Sequence, residues 1–194
     1  MGNNISGVIL VGGANKRFGG ITKANVIIDG LTIISRIISV IEDLFPEIII
    51  VTNNPDEFNE FIHCKIVTDL YLRAGPLGGI HAALKSSSED AIFVFAGDMP
   101  FLDKKIISDQ ISEFKKCKED ALIPKVGQFI EPLHAIYRKS IMNELEKFLI
   151  ERKSRAVRNF LEQVNVGYFK ISDTEQNKKA FTNINSPADL RNFT

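Results

Sequence analysis

The apolar run Val8-Ile9-Leu10-Val11 empties straight into Gly12-Gly13-Ala14-Asn15-Lys16-Arg17-Phe18-Gly19-Gly20-Ile21-Thr22-Lys23. The run has no polar alternation, the pattern of a strand covered on both faces. The loop behind it carries four glycines and three cations. Glycine lets backbone N–H groups approach phosphate oxygens with no Cβ in the way, and Lys16, Arg17 and Lys23 supply countercharge. A buried strand ending in such a loop constrains the fold to a layered α/β sheet. It also points its strand ends at an anionic nucleotide.

Three further apolar runs, Ile48–Val51, Ile66–Val67 and Ile92–Phe95, share this unbroken character. Helical patterns fall between them. Leu31–Phe45 places Ile34, Ile37, Ile38, Ile41, Leu44 and Phe45 at three- and four-residue spacing and stops before Pro46. Pro55–Ile62 and Ile80–Ser86 are shorter candidates, and Asp103–Lys116 opens on an N-cap aspartate. Farther on, Ala121–Pro124 and His134–Tyr137 read as strands joined around Gly127, with helices at Ser140–Ile150 and Val157–Val164. Short strands at Tyr168–Ile171 and Ala180–Ile184 and a terminal helix over Pro187–Phe193 complete the reading. Strands alternating with helices predict a three-layer α/β/α, Rossmann-like, mostly parallel sheet. With 194 residues and no linker or repeat, a single domain is expected over residues 1–194. Ligands of such sheets sit outside the carboxyl ends of the strands. The polar clusters Gly12–Lys23, Thr52-Asn53-Asn54, Asp69 and Gly97-Asp98-Met99-Pro100 all fall there.

The 24 basic and 24 acidic residues balance, which argues against nucleic acid or an anionic membrane as the main partner. Cys64 and Cys117 stand apart with no metal-ligand spacing, as reduced thiols do. No apolar run approaches the ~20 residues of a membrane helix, and no secretory pattern opens the chain. Met-Gly-Asn-Asn-Ile-Ser formally fits a myristoylation pattern, but the first strand begins almost at once. The expectation is a cytoplasmic protein acting on a small molecule.

Two familiar glycine loops are excluded. Lys23 is followed by Ala24 and preceded by Thr22, so the P-loop spacing fails. Gly12 and Gly13 are adjacent, so the dinucleotide pattern fails too. Asp29-Gly30 then reads as a hairpin turn rather than a ribose-binding acid. What remains, Leu10-Val11-Gly12-Gly13, then Arg17-Phe18-Gly19, then Lys23, resembles the signature of nucleotidyltransferases. In that signature Val11 replaces the usual alanine. Asp69 with Gly75-Pro76-Leu77-Gly78-Gly79-Ile80 is similar to a second element of that superfamily, and Asp98-Met99-Pro100-Phe101 to its metal motif. Thr182-Asn183-Ile184-Asn185-Ser186-Pro187-Ala188-Asp189-Leu190 resembles the closing segment. The ordered set spans residues 8–190 and resembles the molybdenum cofactor guanylyltransferases.

That resemblance implies transfer of GMP from Mg-GTP to the terminal phosphate of molybdopterin, with release of pyrophosphate. It implies a nucleotide half over residues 1–102 and an acceptor half over residues 103–194. Arg17, Lys23 and Asp98 would be catalytic, Asp98 holding Mg²⁺. Leu10, Val11, Gly12, Gly13, Lys23, Thr52, Asn54, Asp69, Gly78, Gly79 and Asp98 would bind GTP. Thr52 and Asn54 are left as alternatives for one contact. Asn183, Asn185 and Arg155 would face the acceptor, with Arg158 an alternative in the same basic stretch. The three histidines are scattered, as surface or core residues are; His134 is the one placed to face the acceptor. Cofactor-delivery or acceptor molybdoenzymes would be the protein partners. Two other readings stand beside this one: a cytidylyltransferase or other small nucleotidyltransferase, and a non-catalytic nucleotide-binding cofactor chaperone.

Overall fold

The computed structural model describes residues 4–12, 22–71, 73–151, 154–186 and 189. The four apolar runs form β1 (Ile5–Val11), β4 (Ile48–Thr52), β5 (Lys65–Val67) and β6 (Ala91–Ala96). Between β1 and β4 lie a two-stranded hairpin, β2 (Ile27–Ile28) and β3 (Leu31–Thr32), and helix α1 (Ile33–Ile41). Asp29 and Gly30, at φ 47° and 83°, turn that hairpin, as the Asp-Gly pair predicts. Leu31 and Thr32, read from sequence as the start of a helix, instead pair with the preceding strand. The helix begins after Thr32, whose hydroxyl accepts from the Ser35 N–H.

Helix α2 (Pro76–Ser86) links β5 to β6, and α3 (Lys104–Phe114) follows β6. The Asp103 carboxylate caps α3 by accepting from the Lys105 and Ile106 N–H groups. The remaining elements are β7 (Ala121–Val126), β8 (Phe129–Ile130), β9 (His134–Arg138), α4 (Met142–Ile150), α5 (Val157–Leu161), β10 (Val166–Ile171) and α6 (Glu175–Lys179). Pro55–Phe58 forms a 3₁₀ turn rather than a full helix. Ala180–Ile184 is not a strand; its apolar side chains Ala180, Phe181 and Ile184 are buried from irregular backbone. The expected helix over Pro187–Phe193 lies outside the described residues.

Among the described residues the main sheet runs β10-β7-β9-β6-β1-β4-β5, with β8 paired to β7. The β5-β4-β1-β6 part is parallel, while β9 runs antiparallel between β6 and β7. The chain leaves β1 toward β4 and β5, then returns to the other side of β1 as β6. That reversal opens a crevice at the carboxyl ends of β1, β4 and β6, where open α/β sheets bind ligands. Alternate strand residues feed two cores. Ile9, Val11, Ile50, Phe93 and Phe95 pack with α1 and α3, while Val8, Val51, Ile92 and Val94 pack with α2, α4 and α5. Both faces being covered, none of these strands alternates with polar residues.

Candidate active site

The crevice is a cavity of about 690 Å³ whose wall is assembled from the ends of four strands, within the size range of small-molecule sites. β1 contributes Leu10 and Val11 and leads into Gly12; β4 contributes Val51 and Thr52 and leads into Asn53. Asp69 enters after β5, and Ala96, Gly97 and Asp98 at the end of β6. Among the described residues a Cβ on Gly12 would meet nothing within 4 Å, and Gly12 lines the cavity. Gly97 is different: its N–H donates to the Leu10 carbonyl at 3.0 Å, and a Cβ would stand 2.9 Å from that oxygen. The two strand ends are stitched together at Gly97, and Asp98 projects just past the stitch.

Lys23 opens a 3₁₀ turn whose next residue, Ala24, is buried. Its Nζ lies 3.0 Å from Asp98 Oδ2 and 2.8 Å from Asn185 Oδ1. Thus residues from the beginning, middle and end of the chain converge on one point. The Ile184 N–H donates to the Asp98 carbonyl at 2.8 Å. Asp189 folds the segment back, its Oδ2 accepting from the N–H groups of Asn185 and Ser186. Those bonds, that of Asn185 first, hold the Asp189 carboxyl below its usual range. Asn183 stands two residues before Asn185 with its Oδ1 buried and unpartnered among the described residues.

On the opposite wall, burial pushes the Asp69 carboxyl up, opposed by an Asn53 hydrogen bond and the nearby His81. Asp69 Oδ1 is buried and has no partner among the described residues. The carboxylate lies over the glycines of α2: a Cβ on Gly79 would be 3.6 Å from Oδ1, and one on Gly78 3.5 Å from Oδ2. Gly79 lines the cavity, with Leu10 3.0 Å from its would-be Cβ, whereas Gly78 packs beneath the Tyr71 carbonyl. Thr52 Oγ1 accepts from the Asn54 N–H at 3.1 Å, and Asn54 Nδ2 donates outward to Glu57 at 3.0 Å. The asparagine on the cavity wall is therefore Asn53, with Thr52 beside it.

The N-terminus of α2 opens on the cavity through Gly75 and Pro76. Backbone N–H groups at a helix N-terminus favour anions. Arg73 and Arg155 flank it: both line the cavity, and Arg155 packs its backbone 3.6 Å from the would-be Cβ of Gly75. Arg73 holds a left-handed φ of 65°, uncommon for a residue with a Cβ. Arg158 instead donates to the Ile130 carbonyl at 3.1 Å. Leu133 completes the wall, and behind it Glu131 accepts from the Leu133 N–H. Burial and the charge of Asp98 push the Glu131 carboxyl up.

His134 does not face the cavity. It is fully buried, ringed by Phe93, Phe95 and Phe181 at centroid distances of 5.2, 5.4 and 4.9 Å. Its position on β9 alternates it into the aromatic core, which a tetrapeptide motif does not reveal. Gly13 and Arg17 lie outside the described residues. Asn53, Arg73 and Glu131 were not singled out from sequence. The first is set apart by where the chain turns after β4, the second by its backbone conformation, and the third by the field of Asp98 on its carboxyl.

Among the described residues no group of three His, Cys, Asp or Glu side chains gathers as a metal site. Even so, Asp98 Oδ2 and Asn185 Oδ1 already enclose one cation, the Lys23 ammonium. Oxygen donors of this kind, completed by substrate phosphates, suit a hard divalent ion. No described helix is long and apolar enough to cross a membrane.

Residues 7–166 match the MobA-like NTP transferase domain. A protein of Natranaerobius thermophilus named "Probable molybdenum cofactor guanylyltransferase" is 35% identical over 98% of this chain and 95% of its own length. The molybdenum cofactor guanylyltransferase of Desulfosudis oleivorans is 30% identical over 96% of this chain and 92% of its own. The crystal structure of molybdopterin-guanine dinucleotide biosynthesis protein A from Archaeoglobus fulgidus superimposes with a TM-score of 0.80 at 29% identity, covering 96% and 95% of the two chains. The cavity at the strand ends thus lies in the domain that these relatives share, and the chain belongs to the MobA-like NTP transferase family.

Proposed function

We propose that this chain transfers GMP from a divalent-metal complex of GTP, with Mg²⁺ the physiological metal, to the terminal phosphate of molybdopterin. The observation that carries the reading is the convergence of Lys23, Asp98 and Asn185 in one cavity with Gly12, Asp69 and the N-terminus of α2. A phosphate oxygen of the acceptor bonds to the α-phosphorus, the bond from the α-phosphorus to the β-bridging oxygen breaks, and pyrophosphate leaves. The acceptor oxygen is already ionised, so positioning and charge neutralisation supply the catalysis and no protein nucleophile is needed.

Gly12 and Gly13 offer backbone donors to the phosphates, with Leu10 and Val11 leading into them. Lys23 serves the triphosphate as a point charge, and Arg17 takes up charge developing on the leaving group. Asp69 and Asn53 read the polar edge of guanine over Gly79, with Thr52 fixing the turn and Gly78 the close approach of helix and carboxylate. Asn54 holds the turn that aims Asn53. Arg155 and Arg73, with Asn183 and Asn185, form the acceptor side. Asp98, with the Asn185 amide oxygen beside it, would hold a divalent ion, which would supply charge neutralisation and Lewis-acid polarisation of the phosphoryl group when bound. The free thiols of Cys64 and Cys117 support a cytoplasmic setting.

Pyrophosphate release measured separately with GTP, CTP and ATP, in the presence of molybdopterin and Mg²⁺, tests this. Turnover with GTP, lost in Asp98→Asn, is expected. Turnover with CTP alone would make the protein a cytidylyltransferase. GTP binding with no turnover would make it a carrier.

A further inference from the structure

Lys23 does more in this structure than wait for a triphosphate. Its ammonium group is held by the two oxygens best placed to receive the divalent ion, Asp98 Oδ2 at 3.0 Å and Asn185 Oδ1 at 2.8 Å. The Asp189 carboxylate, tied to the backbone of Asn185 and Ser186, adds its field to the same ammonium group. Both partners of the ion pair are roughly one-quarter exposed, so the contact can exchange without opening the core.

From this geometry we infer that Lys23 is the resident counter-ion of the metal site, and that metal and lysine exclude each other there. The inference rests on the assignment of Asp98 as metal ligand made above. Two positive groups cannot share Asp98 Oδ2 and Asn185 Oδ1 at hydrogen-bond distance without strong repulsion. A divalent ion arriving alone must therefore displace an ammonium that these two oxygens already hold. A triphosphate changes that balance because its oxygens offer Lys23 a new partner within the same cavity. Lysine suits the exchange: it is a compact charge on a flexible stem, able to swing between a carboxylate and a phosphate. Nucleotide then draws Lys23 off Asp98 and creates the metal site as it binds. The free protein resists occupation by metal alone, and metal enters with the substrate it must neutralise.

Mn²⁺ is the probe, and its binding to the full-length protein is followed by loss of the electron paramagnetic resonance signal of the free aqueous ion. Without nucleotide, Lys23→Met and Lys23→Gln are expected to bind Mn²⁺ about tenfold more tightly than the unmodified protein. Adding Asp98→Asn to Lys23→Met should abolish the gain. Circular dichroism establishes that each variant is folded, and two replacements guard against one that packs badly. In parallel, equilibrium dialysis of labelled GTP with and without Mn²⁺ tests the underlying reading: metal should tighten GTP binding in the unmodified protein but not in Asp98→Asn. If that enhancement depends on Asp98 while neither Lys23 variant binds Mn²⁺ more tightly alone, the counter-ion role is wrong and the metal assignment stands. If the enhancement survives Asp98→Asn, the metal assignment itself falls.

Discussion

The backbone N–H of Ile184 donates to the carbonyl of Asp98 at 2.8 Å, while the Ile184 side chain is fully buried in the core shared with α1 and α3. One residue thus fastens the closing segment to the end of β6, and Asn183 and Asn185 on either side are delivered to the site by it. Ile184→Ala removes buried methylenes and is expected to cost about 2–4 kcal/mol of stability, read from denaturant unfolding. Turnover per folded molecule should fall as well, because Asn185 loses its register against Lys23. Ile184→Val should restore most of both. Full turnover in folded Ile184→Ala would show that this anchor does not position the asparagines.

Gly12 and Gly97 separate two uses of glycine within one crevice. A Cβ on Gly97 would stand 2.9 Å from the Leu10 carbonyl oxygen, a backbone atom held in the sheet. Gly97→Ala must push the ends of β1 and β6 apart, at a cost of about 1–3 kcal/mol. Among the described residues a Cβ on Gly12 meets nothing within 4 Å. Gly12→Ala should therefore unfold at the same denaturant concentration as the parent protein while binding GTP more weakly, since the methyl occupies space meant for phosphate. Parallel unfolding and GTP titrations of the two variants check the contrast. Unchanged GTP affinity in Gly12→Ala would remove that residue from the phosphate cradle.

Asp69 sets stability against binding. Burial raises its carboxyl pKa, so the folded protein holds that proton more tightly than the unfolded chain does. The associated stability is complete below the unfolded-state pKa and is lost as pH rises through the folded value. Burial thus disfavours the ionised form of this carboxylate. Asp69→Asn should leave the melting temperature equal or higher near neutrality and flatten its dependence on pH in the acid range. Its affinity for GTP should fall about tenfold or more, because the amide offers one acceptor oxygen where the carboxylate offers two and places a donor at the other position. A lower melting temperature with intact GTP binding would assign Asp69 to structure alone.

The parallel part of the sheet was readable because strands covered on both faces print as unbroken apolar runs. Asp98 and Lys23 were readable because residues at strand ends share one edge of such a sheet. Other features hid for physical reasons. Leu31 and Thr32 continue the helical spacing of α1 yet pair with β2, so turn chemistry at Asp29-Gly30 overrode periodicity. Helix α6, Glu175-Gln176-Asn177-Lys178-Lys179, buries none of its residues and so has no apolar stripe to announce it. Ala180–Ile184 has the apolar content of a strand, but its backbone is spent on turns and on Asp98 rather than on a ladder. Within the site, Thr52, Asn53 and Asn54 differ only in where the chain turns after β4. Choosing Asn53 requires knowing that the Asn54 amide reaches outward to Glu57. The left-handed backbone of Arg73 and the approach of Glu131 to Asp98 exist only in three dimensions.

His134 is the clearest such case, because its sequence neighbours suggest the cavity and its surroundings make it part of the core. Both ring nitrogens are buried and unpartnered among the described residues, and three phenylalanine rings meet the imidazole edge to face. Burial pushes its pKa down to about 4. The unfolded chain therefore binds this proton more readily than the folded protein does. The stability it contributes is complete above the ordinary histidine value and is lost as pH falls toward about 4. From that shift, moving from near pH 7 to near pH 5 should cost about 2 kcal/mol through this residue alone. His134→Phe replaces a titrating ring with an apolar one of similar size in an aromatic setting. Denaturant unfolding at the two pH values should show the parent losing that stability and His134→Phe retaining it, with GTP binding near neutrality unchanged. An equal loss in both proteins would place the acid sensitivity elsewhere, and a loss of GTP binding in the variant would return His134 to the site.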